Sequence, residues 1–333
     1  MENVVKKRIG WLDSSRGIAF LAVLYSHLEY SNPFILKYFT PFFLSAFFFV
    51  SGYLFKTEMS FLKVLEQRTR TLLFPFLIYG TLMLALRQFA SFKSEVIPFK
   101  DSFINMIIQD GSDSSFWFIP SLFIFSLFFY WFAKPCKSGK AFLIMALSLF
   151  IANWAIKKFG LPNLNYRMDT MGYALAYMAL GKAFKIYEES IVKLMSLKII
   201  IPTFIIYLAL ISFDPVRISY TGSPYLIDAL IITSLGLFLL IFISRHVENS
   251  KLIIFVGSNS LLYFCLHGKA YSLVQTVIHK LINISLTENP LAFTVTGFLV
   301  AFISALLLII PIFIINKWLP FTTGKGLKLW NVK

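Results

Sequence analysis

Apolar stretches long enough to cross, or nearly cross, a bilayer follow one another along this chain, separated only by short polar connections. Hydrocarbon offers no partner to backbone N–H and C=O groups, so stretches of this kind must satisfy them internally, as helices. The spans fall at about residues 11–30, 38–56, 71–90, 116–133, 141–157, 170–187, 197–213, 225–244, 252–273 and 291–316. The expected fold is an all-α polytopic integral membrane bundle of about ten transmembrane helices. Composition agrees, with 58% hydrophobic and only 14% charged residues and 38 Phe, against roughly 25% charged in a soluble domain. A soluble enzyme, a disordered chain and a disulfide-stapled secreted domain are excluded.

The net charge of +15 raises the question of nucleic acid. The positions of the charges answer it. With a cytoplasmic N-terminus and ten alternating helices, 20 of the 31 Lys and Arg lie at cytoplasmic helix ends and 10 opposite, leaving Arg16 inside a helix. The positive-inside rule then places both termini in the cytoplasm and accounts for the basic excess without nucleic acid. The basic start (Lys6, Lys7, Arg8) before an apolar stretch with no small-x-small site reads as a retained signal anchor. Cys136 and Cys265 fit neither a disulfide framework nor a metal site. Every polar connection is short and no repeat is visible, so residues 1–333 read as one membrane domain with no separate soluble module.

Pro33, Pro41, Pro98, Pro215, Pro224 and Pro290 fall near segment ends, whereas Pro75, Pro120 and Pro311 lie inside segments and predict kinks. Ser51-Gly52 reads most simply as a small-residue helix contact. Asp110, Asp113, Arg167 and Asp169 belong to outer loops, with solvation their main expected role.

Ionisable side chains within a membrane helix cost about 2.5–3.5 kcal/mol each at mid-bilayer, so they carry information. The first span holds Arg16, His27 and Glu29, with Asp13 at its entrance. Eleven positions separate Arg16 from His27, which places them within roughly 20° on one helix face and about 16 Å apart along it. One reading pairs Arg16 with Asp13 and leaves His27 bonded to a neighbouring helix. The other is a long anionic donor with its phosphates at the arginine and its reactive end at the imidazole. Coenzyme A has that shape.

Four motifs resemble those of the acyltransferase-3 family of membrane O-acyltransferases. They are Leu12-Asp13-Ser14-Ser15-Arg16-Gly17 through Tyr25-Ser26-His27 (Arg-x10-His), Phe47 to Tyr53 (Phe-rich, ending Ser-Gly-Tyr), Phe116 to Leu122 (Trp-Phe-x-Pro-x-Leu), and Val256 to Leu261 running on to His267. Their order matches over roughly residues 8 to 310, and the fucose 4-O-acetylase-like branch is the most similar. The family's Arg-x-x-Arg after the second helix is here Arg68-Thr69-Arg70, whose side chains an α-helix points about 160° apart.

The resemblance implies a multi-pass enzyme of the bacterial inner membrane, in contact with membrane lipid. It would transfer an acetyl group from cytoplasmic acetyl-CoA to a sugar hydroxyl of a cell-envelope polysaccharide or lipid-linked oligosaccharide, with no metal. His27 would be the general base or a transient acyl carrier, Arg16 the donor's partner with Asp13 orienting it, and Arg68 and Arg70 holders of nucleotide phosphates. Glu29 lines an acceptor cavity or is a solvated rim carboxylate. Trp117 stacks on a sugar or anchors at the interface. His267 is a second polar lining residue or a packed histidine. Two other readings fit the composition, a glycan or lipid-linked sugar flippase and the same fold using another donor such as succinyl-CoA.

Overall fold

Helices do form where the apolar stretches lie, and they break where the sequence supplies an asparagine, a glycine or a proline. The computed structural model describes residues 9–90, 98–108, 117–159, 164–213, 228–281, 289–327 and 329. No strand occurs among them. The first helices are α1 (Gly10–Ser26), α2 (Pro33–Leu36), α3 (Phe43–Tyr53), α4 (Phe61–Arg68) and α5 (Phe74–Ala90). A π-helical turn, Thr69–Leu73, joins α4 to α5. There follow α6 (Phe99–Ile108), α7 (Phe118–Ala133), α8 (Gly139–Lys158), α9 (Met171–Leu194) and α10 (Leu197–Phe213). The last are α11 (Thr233–His246), α12 (Lys251–Ser258), α13 (Ser260–Leu281), α14 (Pro290–Leu307) and α15 (Ile309–Trp318).

Each expected span falls on one or two of these helices, and several of the helices are short or bent. Among the described residues three helices are long and apolar enough to cross a membrane: Phe61–Phe89, Gly139–Lys158 and Pro290–Trp318. Two more crossings arise if bent pairs are counted, Asn165–Leu194 with Leu197–Ser212 at 105° and Lys251–Ser258 with Ser260–Lys280 at 92°. The protein is an all-α, multi-pass membrane protein with a broken interior. Helix α3 is only 11 residues long, about 17 Å, and too short to span. It is tolerated because every one of its residues is buried in protein rather than exposed to lipid.

The internal prolines are placed more economically than kinks would be. Pro120 and Pro311 occupy the first turns of α7 and α15, where no intrahelical donor is lost. Pro75 is the second residue of α5, directly after the π turn that absorbs its missing N–H. Pro202 lies inside α10.

The two innermost helices, α1 and α3, are held by backbone contact. Helix α3 packs on α9 through Gly52 and Gly181, where an added Cβ would overlap the carbonyls of Met178 and Phe49. Helix α1 packs on α12 in the same way. A Cβ at Gly257 would overlap the Asp13 carbonyl oxygen. Small residues let membrane helices approach this closely, with dispersion and buried polar groups replacing a hydrophobic drive. The outer surface is apolar, with Ile144, Ile205 and Ile310 mostly exposed, as a lipid-facing surface requires.

The break between α12 and α13 is locked by side chains. Asn259 donates to the Phe255 carbonyl at 2.8 Å and accepts from Asn316 at 2.7 Å, and Asn316 in turn accepts from Lys325 at 2.6 Å. Several loop expectations change. Asp169 is buried and paired with Lys157, not solvated. Arg167 sits beside it at a positive φ of 55°. Asp110, Asp113, Pro215 and Pro224 lie outside the described residues, as do Phe116, the basic residues Lys6, Lys7 and Arg8, and Lys328 and Lys333.

Candidate active site

Helix α1 ends at Ser26, so His27 is its C-cap residue rather than a mid-helix position. It remains on the side of α1 that faces α3, α7 and α13. There it lines a cavity of about 280 Å³ with Ser26, Thr40, Phe43, Trp117, Phe118 and Phe264. A second cavity of about 300 Å³ lies along the same run of helices. Arg16 and Arg68 line it, with Ser51, Phe118, Ser258, Ser260 and Phe264. The two cavities share Phe118 and Phe264, whose rings stack at 5.0 Å between centroids. Phe47 packs on both rings, at 5.5 and 5.1 Å.

The arginine cavity carries two guanidinium groups among its lining. Arg16 bonds Asp13 at 2.8 Å, and Asp13 is buried, so the guanidinium is held in place from one side. Arg68 forms no ion pair or hydrogen bond with any described residue; its guanidinium lies 6.0 Å from the centre of the Phe55 ring. The bend at Asn259 turns the first residues of α13 toward this cavity, adding the partial positive charge of a 22-residue helix N-terminus. The Ser51 hydroxyl is buried without a hydrogen-bond partner among the described residues and lines the same cavity.

Arg70 goes elsewhere. Its Nε bonds Glu66 at 3.2 Å and a terminal nitrogen donates to the Gly324 carbonyl at 2.7 Å, tying the chain's late turn to α4. Of the two arginines expected at the donor phosphates, Arg68 lines the cavity and Arg70 does not. Glu29 is also outside both cavities. It lies exposed beyond the end of α1 and pairs with His279 at 3.0 Å, where Tyr30 joins them. Trp117 does line the histidine cavity.

His267 lies behind His27. It is only 1% exposed, and its ring centre is 5.3 Å from that of His27. Its Nδ1 lies 2.9 Å from the Phe264 carbonyl oxygen. A carbonyl can only accept, so Nδ1 carries the hydrogen. Its Nε2 is buried with no partner among the described residues, an arrangement that costs about 1–3 kcal/mol.

The sequence pattern of the family described as an acyltransferase domain matches residues 9–312. The chain belongs to this acyltransferase-3 family. No curated protein and no solved structure matches it. In this acyltransferase the four motifs converge on the paired cavities. The first supplies Arg16 and His27, the second Phe47, Val50 and Ser51, the third Trp117 to Ile119 and Leu122, and the fourth Ser258, Ser260, Leu261 and Phe264. The serines were not read from the sequence as site residues. Their signal was the Gly-Ser-Asn-Ser run inside an apolar stretch, which breaks the helix and so exposes polar groups at membrane depth.

Proposed function

We propose that the protein is a membrane O-acetyltransferase that moves an acetyl group from cytoplasmic acetyl-CoA to a sugar hydroxyl of a cell-envelope glycan. The observation that carries this reading is the pairing of a cationic cavity with a histidine-lined one across a single pair of aromatic rings. The donor fits the first. Arg16, Arg68 and the start of α13 would hold phosphate, and Ser51, Ser258 and Ser260 offer hydroxyls to the amide-bearing pantetheine arm. The acceptor fits the second, where Trp117 offers a face for a sugar ring. The arginine cavity faces the cytoplasm in this reading, consistent with the distribution of Lys and Arg, and the enzyme resides in a bacterial inner membrane.

His27 takes the proton of the acceptor hydroxyl as its oxygen attacks the thioester carbonyl. The C–O bond forms, the C–S bond breaks, and the proton passes on to the departing thiolate. General-base catalysis of this kind contributes about 10²–10⁴-fold. Arg16, fixed by Asp13, orients the donor from the other end of α1.

The test compares glycan from wild-type, deletion and His27→Ala strains by NMR, with the variant's membrane level checked by immunoblot. Loss of an O-acetyl signal in both altered strains is expected. Full acylation by the His27→Ala protein would overturn the mechanism, and an O-succinyl signal would reassign the donor.

A further inference from the structure

A buried imidazole nitrogen without a partner is uncommon, because burial removes the water that would otherwise satisfy it. His267 Nε2 is such an atom, and its ring neighbours that of the residue proposed as general base. Its neighbours hold the ring. The Phe264 carbonyl holds Nδ1 at 2.9 Å, and Phe20 and Tyr271 flank the ring at 5.8 and 6.1 Å. The nitrogen facing away from that carbonyl is therefore Nε2, presented as a lone pair. His27 makes no side-chain hydrogen bond with any described residue. Two imidazoles joined by an N–H···N bond of ordinary length, about 3 Å, have centres roughly 5 Å apart. The observed separation is 5.3 Å with the planes inclined at 43°. That separation suits such a bond, and catalytic hydrogen bonds commonly tighten only when substrate binds.

We propose that His267 is a positioning residue for the transfer: its Nε2 accepts an N–H from His27 and so turns the other His27 nitrogen, as a free lone pair, into the cavity. This rests on His27 being the base, and it adds a second part to the machinery. The neutral His267 fixes the tautomer of His27. When His27 gains the acceptor's proton, the same bond stabilises the imidazolium, the service a carboxylate performs in a Ser-His-Asp triad. The carbonyl of Phe264 is the third member of the chain, holding the orienting residue in turn.

The experiment uses the full-length protein in membrane vesicles from the deletion strain, supplied with radiolabelled acetyl-CoA, and counts label entering envelope glycan. His267→Phe keeps the packing but removes the acceptor, and kcat should fall about 100-fold with KM for acetyl-CoA within about twofold of wild type. His267→Gln, whose amide oxygen can accept the same N–H, should recover kcat to within about tenfold of wild type. Wild-type kcat in folded His267→Phe, or equal inactivity of the two variants at wild-type thermal midpoints, overturns the proposal. Should a variant fail to fold, ¹⁵N-histidine NMR of the wild-type protein decides. The Nδ1–H tautomer at His267 with coupling to a His27 nitrogen supports it, and an Nε2–H tautomer sinks it. His27→Ala separates the two levels. Activity surviving in His27→Ala removes the general-base reading itself, whereas loss there with full activity in His267→Phe removes only the role given to His267.

Discussion

Gly257→Ala adds one methyl group and is expected to disable the enzyme. The new Cβ would stand 2.6 Å from the Asp13 carbonyl carbon and 2.7 Å from the Gly17 nitrogen, where two carbons in contact keep about 3.5 Å. Both neighbours are backbone of α1, so no side chain can rotate aside. The Asp13 carbonyl oxygen is nearer still, so helices α1 and α12 must part by more than about 1 Å. Overpacking of this kind costs about 1–3 kcal/mol, and the displaced helix carries Arg16 and His27. A misplacement of about 1 Å at a reacting group lowers rate about 100-fold. The control is Gly268→Ala on α13, one residue past His267, where an added Cβ meets nothing within 4 Å. Label transfer from acetyl-CoA in vesicles, normalised to folded protein by size-exclusion fluorescence, measures both. Equal activity of the two variants would refute the claim that backbone contact between α1 and α12 sets the site geometry.

Arg68→Ala should raise KM for acetyl-CoA roughly 10–100-fold, the value of a charge-assisted contact of about 1.5–3 kcal/mol, while Arg70→Ala leaves KM within about threefold; steady-state kinetics that reverse this order would reassign the phosphate contact. Asp13→Asn removes the partner of Arg16 from a pair whose carboxylate is 3% exposed and whose guanidinium is 28% exposed, and should cost on the order of 2 kcal/mol, read as a lowered thermal midpoint in detergent. Phe118→Ala opens the wall between the cavities and should raise acetyl-CoA hydrolysis in the absence of acceptor, measured as free thiol release; an unchanged rate counts against the rings as the barrier. Glu29→Gln should leave transfer within about twofold, because its bond to His279 is exposed on both sides.

What the sequence made legible followed from cost. Ionisable groups are expensive in a membrane helix, so Arg16 and His27 stood out, and the structure brings them to adjoining cavities. The apolar stretches located the helices for the same reason. Interruptions were harder to see. The bend at Asn259 depends on Asn316 and Lys325, 57 and 66 positions further on, and the diversion of Arg70 depends on Gly324. Such contacts have no local signature. The end of α1 at Ser26, the unpartnered Ser51 hydroxyl and the buried Asp169 likewise arise from tertiary packing rather than from periodicity.

The stacked rings of Phe118 and Phe264 have a consequence for the bilayer as a whole. In the proposed function an acetyl group passes from a cytoplasmic donor into the histidine cavity, and any route for it invites protons and ions to follow. Here the two cavities share the same pair of side chains, so under the proposed function the partition between donor and acceptor is two stacked phenyl rings. In that reading the thin arm of the donor fills the gap between these rings for the moment of transfer, so that the partition opens only when it is occupied.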